Sequence, residues 1–153
     1  MSEVSNMAEH WIIPCSVKVY DIIEHFKKQN LVVWKNSFTI RKGDIAYIYI
    51  GSPHSEIKFK CEVVSDSVDE KLLSENEYAI PAKKSNNYFS KKEKYIQMKL
   101  ITEYPNGTFK LEDLREHGLG QVQIQARTDR RLQQYINEKE SEIFDKEEVT
   151  TNA

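Results

Sequence analysis

The chain has 153 residues, the length of a single domain, and 39% of them are hydrophobic and 30% charged. The formal net charge is −2, glycine and proline are scarce, and the longest apolar run, Ile45–Ile50, is too short to cross a bilayer. These features exclude membrane-spanning, fibrous and low-complexity proteins, and the polar start without a cationic, apolar leader predicts a cytoplasmic protein.

The first third of the chain predicts a strand and a helix after a disordered start. Residues 1–9 are polar, and we expect them to be disordered. The bulky run Trp11-Ile12-Ile13 predicts a short strand, which Pro14 is expected to end. Asp21 is a typical N-cap, and it precedes apolar residues with helical spacing over residues 22–28.

Two strands in the middle of the chain are expected to pair as a hairpin. Ile45–Ile50 follows the turn sequence Arg41–Asp44 and is β-branched or aromatic on both faces, which indicates a central strand. Residues 51–55 are typical of a turn. Residues 57–63 then alternate apolar and polar side chains, as expected for a strand with one exposed face.

The second half predicts one more long strand and three helices. A short helix is expected around residues 70–74, within a polar, lysine-rich segment, and residues 95–102 alternate as a strand. A two-turn helix is expected to end at Gly118. Either Thr128 or Asp129 can serve as the N-cap of the last helix.

These elements predict one α+β domain over residues 10–137, followed by an acidic tail over residues 138–153. With about five to six mostly antiparallel strands, peripheral helices and no βαβ repeat, a small barrel or a strongly curled sheet fits best. Cys15 and Cys61 lie far apart in apolar segments, which predicts two buried thiols rather than a disulfide.

Charge is distributed unevenly along the chain. Residues 138–153 carry six acidic residues and two lysines, a net charge of −4, so the remainder carries +2. Arg130 and Arg131 at the start of the last helix oppose the helix dipole, a conflict that a bound phosphate would relieve. The alternative is that lysine-rich segments are only solvated. The predicted phosphate contacts are Lys35, Lys83, Lys84, Arg127, Arg130 and Arg131.

No residue pattern predicts a catalytic centre. The four histidines lack metal-ligand spacing, and hydrolase and nucleotide-loop motifs are absent. The apolar flanks of Cys15 favour a buried side chain over a nucleophile. His54, in a turn, could reach a ligand or simply be exposed, and His25 and His117 are expected on helix surfaces. We therefore predict a protein that is not an enzyme and uses neither a cofactor nor a metal.

Trp34 differs from the other strand aromatics, most of which are expected in the core. It ends an apolar run and is followed directly by Lys35-Asn36-Ser37. A tryptophan at the edge of a sheet, next to an amide and a hydroxyl, can stack on a flat base while its neighbours bind the edge of that base. The alternative for Trp34 is ordinary core packing.

Several segments, in this order and spacing, resemble the EVE domain of the PUA-like superfamily, which also includes YTH and ASCH domains. They are Trp11-Ile12-Ile13-Pro14, Trp34, residues 42–49 with a hairpin returning through residues 57–64, and Leu114–Leu119 followed by Gln125-Ala126-Arg127. The segments Leu114–Leu119 and Gln125-Ala126-Arg127 are similar to the compact bacterial branch of the EVE family. The match covers about residues 10–136 and implies a PUA-like curled barrel with a pocket for a modified base.

The resemblance also implies a partner and a set of pocket residues. The partner is DNA or RNA that carries a methylated or hydroxymethylated cytosine or a methylated adenine, and a separately encoded nuclease or other defence effector is a further partner. The sequence departs from the longer EVE pattern after Trp34, so the identity of the base stays open. The pocket residues implied are Ser16, Trp34, Asn36, Ser37, Tyr49, Ser52, Gln125 and Arg127.

Two other functional classes compete with a base-binding module. One is a protein-interaction module that docks through the acidic tail, residues 138–153. The other is an enzyme that acts on a nucleotide or base, with Cys15, His54 or His117 as its reactive groups.

Overall fold

The computed structural model describes residues 8–18, 20–36, 38–68, 94–122 and 124–152, with side chains up to residue 144. The predicted helix at 70–74 and most of the predicted disordered start lie outside these residues. The described elements are β1 (His10–Cys15), α1 (Ile22–Lys28), β2 (Leu31–Lys35), β3 (Ile45–Ile50), β4 (Glu56–Ser65), β5 (Tyr95–Glu103), α2 (Leu111–Glu116), β6 (Ala126–Arg127) and α3 (Arg130–Asn152).

The strands form one six-stranded mixed sheet in the order β2-β5-β4-β3-β1-β6. β1 and β3 are parallel, and the other neighbouring pairs are antiparallel, including the predicted hairpin of β3 and β4. The α+β class with six mostly antiparallel strands is therefore confirmed. The sheet is curled but not closed into a barrel, because β2 and the two-residue β6 do not pair with each other.

A side chain joins the two edges of the sheet instead. Gln125, directly before β6, donates a hydrogen bond from Nε2 to the carbonyl oxygen of Lys35 at the end of β2, at 2.7 Å. The two residues are 90 positions apart in sequence. The open edges thus meet through one amide, where backbone pairing would have closed a barrel.

The central strand β3 separates two hydrophobic cores. The α1-side core consists of Trp11, Ile13, Cys15, Tyr20, Ile22, Phe26, Val32, Ile40, Ala46, Ile48, Ile50, Phe59, Cys61, Val63, Ile96 and Met98. The α3-side core consists of Ile12, Tyr47, Tyr49, Ile57, Tyr104, Phe109, Leu114, Leu132 and Ile136. Alternate residues of β3 point into opposite cores, as its apolar character on both faces predicts. Both cysteines are buried and free.

Pro14 lies inside β1 and does not end it, contrary to the prediction. The carbonyl oxygen of Cys15 accepts a hydrogen bond from Gly51 at 3.0 Å, so Cys15 faces β3. Because successive residues of a strand face opposite neighbours, Pro14 faces the β6 side, where pairing has already stopped at Ile12. A proline without an N–H group costs no ladder hydrogen bond there.

Carboxylates cap two of the helices. Asp21 accepts a hydrogen bond from the Glu24 amide at 3.1 Å and caps α1, as predicted. Asp129 accepts one from the Leu132 amide at 2.8 Å and caps α3. The predicted boundary between residues 137 and 138 falls inside α3. Among the described helices, none is both long and apolar enough to cross a membrane.

Candidate nucleic-acid interface

The end of β2 and the start of β3 lie at the same end of the sheet. Three antiparallel pairings connect the two strands through β5 and β4, so β2 and β3 run in opposite directions. At this end the structure gathers aromatic, amide and basic side chains from segments distant in sequence. We call this surface the aromatic rim, and it consists of Trp34, Lys35, Asn36, Phe38, Gln125 and Arg127.

Trp34 is half-buried at the rim. Its ring packs against the α1-side core and meets the Tyr20 ring edge-on, with centroids 5.2 Å apart at an interplanar angle of 70°. Trp34 as a whole residue is intermediate in exposure, neither fully buried nor fully exposed. Packing on the core, one of the two alternatives for Trp34, is therefore present, and stacking on a base stays a prediction.

Asn36 organises the loop that follows Trp34. Its side-chain oxygen accepts hydrogen bonds from the amides of Phe38 at 3.2 Å and Ile40 at 3.3 Å. Its Nδ2 donates to the carbonyl oxygen of Ile40 at 2.9 Å. Because both ends of the amide hold the loop, Asn36 shapes the rim from within. Ser37, the next predicted pocket residue, lies outside the described residues.

Trp11 supports the rim from below. It is only 3% exposed, and its Nε1 donates to Asp44 at 3.0 Å. Phe38 stacks on Trp11 with ring centroids 6.4 Å apart and an interplanar angle of 20°. The guanidinium of Arg127 lies 5.5 Å from the centroid of the same indole. Phe38 is nevertheless 45% exposed as a residue.

Asp44 ties three segments together beneath the rim. Besides the Trp11 indole, it accepts hydrogen bonds from the backbone amides of Glu9 at 3.1 Å and Arg41 at 2.9 Å. Sequence reasoning assigned Asp44 to a turn and did not identify this role. A Gly-Asp pair before a strand indicates a turn, but nothing in it reveals an indole partner 33 residues away.

Gln125 and Arg127 join the rim from the other edge of the sheet. Gln125 is 7% exposed and binds the Lys35 carbonyl oxygen, so two of the predicted residues come together. Arg127 is exposed and forms an ion pair with Glu9 at 3.6 Å. Its guanidinium lies over the Trp11 ring, which leaves charge at the surface next to the aromatic rings.

Three other predicted pocket residues lie elsewhere. Tyr49 is buried in the α3-side core, on the sheet face away from Trp34. Ser52 follows the end of β3, and that end is opposite to the rim. Ser16 is exposed at the end of β1, and its carbonyl oxygen accepts a hydrogen bond from the amide of Tyr20, which contacts Trp34.

Arg131, at the start of α3, has a partner within the protein. The guanidinium of Arg131 donates to the carbonyl oxygen of Glu116 at the C-terminal end of α2, where the helix dipole favours a cation. The Asp129 carboxylate already supplies an anion to the first turn of α3. A phosphate is therefore not required to explain the basic start of this helix. Lys83 and Lys84 lie outside the described residues.

The described residues contain no group of three or more His, Cys, Asp or Glu that could hold a metal ion. Burial raises the pKa of the Cys15 thiol to about 12 and that of the Cys61 thiol to about 12, so both stay protonated at neutral pH. The expectation that His25 lies on a helix surface was wrong. His25 is buried, and its Nε2 donates to the carbonyl oxygen of Leu31 at 2.6 Å.

His54 lines an open cleft of about 640 Å³ beside the turn between β3 and β4. Lys58 also lines it, but the Lys58 ammonium donates to the carbonyl oxygen of Tyr104 at 2.9 Å and pairs with Glu103 at 3.6 Å. The buried Glu56 in the same cleft accepts a hydrogen bond from the backbone amide of Gly107 at 2.7 Å. Lys58 and Glu56 are thus both engaged within the protein.

No protein-family model matches the sequence, and no curated protein matches it. Solved structures do match. An ASCH protein from Zymomonas mobilis superposes with a TM-score of 0.60 at 14% identity, covering 85% of this chain and 94% of the other. A protein from Leishmania major superposes with a TM-score of 0.54 at 16% identity, and the match covers 88% of this chain and 96% of the other.

The human protein THYN1, solved in complex with DNA containing 5-methylcytosine, gives a TM-score of 0.55 at 10% identity. The match covers 84% of this chain and 95% of THYN1. At such identities the likeness concerns the fold. The chain therefore has the PUA-like fold of the ASCH and EVE domains, as the sequence resemblance predicted.

Proposed function

We propose that this protein is a non-catalytic nucleic-acid-binding module that holds a modified base at the aromatic rim. The observation that carries the proposal is the half-buried Trp34, firmly packed on Tyr20 yet partly accessible, beside the exposed cations Lys35 and Arg127. The shared fold supports it, because THYN1 with this fold was solved on DNA containing 5-methylcytosine.

In this proposal Trp34 supplies affinity by stacking on a base that has left its own stack. Stacking on one aromatic side chain contributes roughly 1–3 kcal/mol. Burying one methyl group adds about 0.8 kcal/mol, which corresponds to about a fourfold preference for a methylated base. Stronger discrimination would require that the unmodified base leave a polar group without a partner.

Phosphate contacts would supply the part of the affinity that is independent of sequence. Lys35 and Arg127 lie on the rim, and the exposed side chains of Arg41, Lys42 and Lys94 belong to adjoining segments. Neutralising phosphates releases counterions, so binding should weaken steeply as salt rises. We propose a separately encoded nuclease or other effector as the partner that acts on the bound nucleic acid.

The reactive groups considered for an enzyme do not support one. Both thiols are protonated at neutral pH, and a thiol must lose its proton to act as a nucleophile. The Nδ1 of His117 lies 2.8 Å from the Asp113 carbonyl oxygen, which can only accept, and its ring stacks on Tyr135. These interactions hold the imidazole against α2 and α3, as a structural role requires.

Fluorescence anisotropy with labelled oligonucleotides tests the proposal. The labelled strands carry one 5-methylcytosine, 5-hydroxymethylcytosine, N6-methyladenine or plain base. We expect Trp34→Ala to weaken binding of the preferred modified strand about tenfold, as lost stacking predicts. Phe144→Ala is the matched control, because Phe144 is an exposed aromatic residue on α3, and it should bind as the parent does.

Two results would contradict the proposal. If Trp34→Ala binds modified and plain strands as tightly as the parent does, Trp34 does not stack on a base. If binding by the parent depends on salt but not on any modification, the protein binds phosphate alone.

A further inference from the structure

Two large apolar side chains project from the aromatic rim. Phe38 is 45% exposed and Ile124 is 60% exposed. Phe38 lies three residues after Lys35, and Ile124 directly precedes Gln125, so both flank the hydrogen bond between Lys35 and Gln125 that joins the sheet edges. Single exposed apolar residues are common, but these two belong to the two segments that the Lys35–Gln125 hydrogen bond brings together, and we call them the apolar pair.

The backbone beneath both side chains is firmly held. The amide of Phe38 is bound by Asn36, and its ring rests on the buried Trp11. Gln125, the neighbour of Ile124, is itself buried and anchored to the Lys35 carbonyl oxygen. Phe38 is therefore held by a hydrogen bond and a ring contact, and Ile124 directly precedes an anchored residue.

The charge around the pair is complementary to a nucleic-acid backbone. Lys35 and Lys94 are exposed at the end of β2 and the start of β5, and Arg41 and Lys42 are exposed just after the loop. Two nearby carboxylates are already engaged. Glu9 pairs with Arg127, and Asp44 accepts three hydrogen bonds within the protein. An apolar tip surrounded by cations suits a polyanion with an apolar interior.

We propose that Phe38 and Ile124 form a wedge that enters the base stack of a duplex when a base is drawn toward Trp34. Phenylalanine and isoleucine are among the side chains that proteins insert between base steps, where they fill the gap and stabilise the unstacked state. The inference rests on the proposed function and identifies its substrate class, because only a duplex must be opened before a base can leave its stack.

The test compares one sequence as a duplex and as a single strand, each with the preferred modified base and each titrated with the full chain. The variants are Phe38→Ser, Ile124→Ser and the double variant. We expect the double variant to bind the duplex about tenfold more weakly and the single strand within twofold of the parent. A 2-aminopurine next to the modified base should brighten with the parent and much less with the double variant, since its fluorescence increases on unstacking.

Two control variants separate the wedge from general apolar loss and from misfolding. Ile101→Ser removes another large exposed apolar side chain, 48% exposed on β5, and should leave duplex binding unchanged. Phe38→Leu keeps an apolar side chain above Trp11 and should retain duplex binding within about threefold. Ile124 belongs to neither core, so its variant should melt as the parent does.

The possible outcomes distinguish the wedge from the proposed function. Equal losses on duplex and single strand would show that Phe38 and Ile124 belong to the base pocket, which overturns the wedge. Unchanged duplex binding and 2-aminopurine signal in the double variant would overturn the wedge as well. In both cases the dependence of single-strand binding on Trp34 would still support the proposed function. A parent that binds no modified strand would overturn both.

Discussion

The aromatic rim and the face covered by α3 differ in the exposure of their polar and aromatic groups. Beneath α3, Lys60 forms an ion pair with Glu140 at 3.1 Å, and the Tyr104 hydroxyl donates to the same carboxylate. These groups bind one another and are largely buried. At the rim, Phe38 and Arg127 project into solvent, although their inner surfaces pack on Trp11.

The difference separates stability from recognition. A buried charge is tolerated only with a partner, so the Lys60–Glu140 pair holds α3 on the sheet and has little capacity left for a ligand. Exposed aromatic rings next to cations contribute less to stability because they are less buried. Their surface is available for stacking, and the cations are available for phosphate contacts. Substitutions on the two faces should therefore affect different measurements.

The largest expected effect is on the α3 face. We expect Glu140→Ala to lower the free energy of unfolding by about 3 kcal/mol, because Lys60 and the Tyr104 hydroxyl lose their common partner in a largely buried place. Urea denaturation followed by circular dichroism measures the change. Glu142→Ala is the matched control: Glu142 is exposed and pairs with Lys139 at 3.8 Å, so its loss should cost under about 0.5 kcal/mol.

Oligonucleotide binding by Glu140→Ala tests whether the α3 face and the aromatic rim act independently. Under conditions where Glu140→Ala is fully folded, we expect it to bind the preferred modified strand as the parent does. A large loss of binding by the folded variant would mean that the two faces are coupled, and the division between stability and recognition would be wrong.

Gln125→Ala should affect both measurements, because Gln125 lies at the junction of the sheet edges. Removing the amide leaves the Lys35 carbonyl oxygen without this donor and should cost about 1–2 kcal/mol of unfolding free energy. We also expect weaker binding of the modified strand, since the end of β2 carries Trp34. Gln121→Ala, an exposed glutamine in the same segment, is the control for both. A stability loss without any loss of binding would show that this junction does not position Trp34.

Local signals in the sequence predicted much of the fold. The two-faced apolar run of β3, the alternation in β4 and β5 and the cap at Asp21 are patterns that neighbouring residues define, and the structure contains each of them. The prediction that Trp34 binds a base rests on another local signal, the polar segment that follows it directly. Such signals are local, so they can be read without knowing which strands are neighbours.

Contacts between distant residues could not be predicted in this way. The position of Pro14 inside β1 depends on where β6 stops pairing, and the burial of His25 depends on Tyr20 and Leu31. The bond between Gln125 and Lys35 follows from the curl of the whole sheet. The loop hydrogen bonds of Asn36 likewise become apparent only from the backbone path, and its predicted contact with a base edge stays a prediction.

A smaller effect is expected when charge is removed from the rim without loss of aromatic surface. Lys35→Gln should weaken binding about fivefold for modified and plain strands alike and reduce the salt slope by about one. Arg131→Gln is the comparison, because Arg131 binds the Glu116 carbonyl oxygen. It should lower the melting temperature and leave the salt slope unchanged. A salt slope that falls with Arg131→Gln and stays constant with Lys35→Gln would place the phosphate contacts at the start of α3.

The smallest expected effect concerns the pH dependence of stability. Burial lowers the pKa of His25 below its ordinary value of 6.5, and burial followed by the charge of Lys60 lowers the pKa of His10. Both imidazoles have neutral partners. The Leu31 carbonyl oxygen fixes the proton of His25 on Nε2, and the Tyr47 hydroxyl, which accepts from Gln133, lies 3.0 Å from the Nδ1 of His10.

The unfolded chain binds these protons more readily than the folded one. The stability contributed by the two neutral imidazoles is therefore complete above about pH 6.5, and it is lost as pH falls through the lower folded pKa values. We expect the free energy of unfolding to fall between about pH 7.5 and pH 5, measured by urea denaturation at each pH. His25→Gln keeps a donor for the Leu31 carbonyl oxygen but does not titrate, so the pH slope should become shallower. An unchanged slope in His25→Gln would mean that a folded-state partner compensates for the burial of this imidazole.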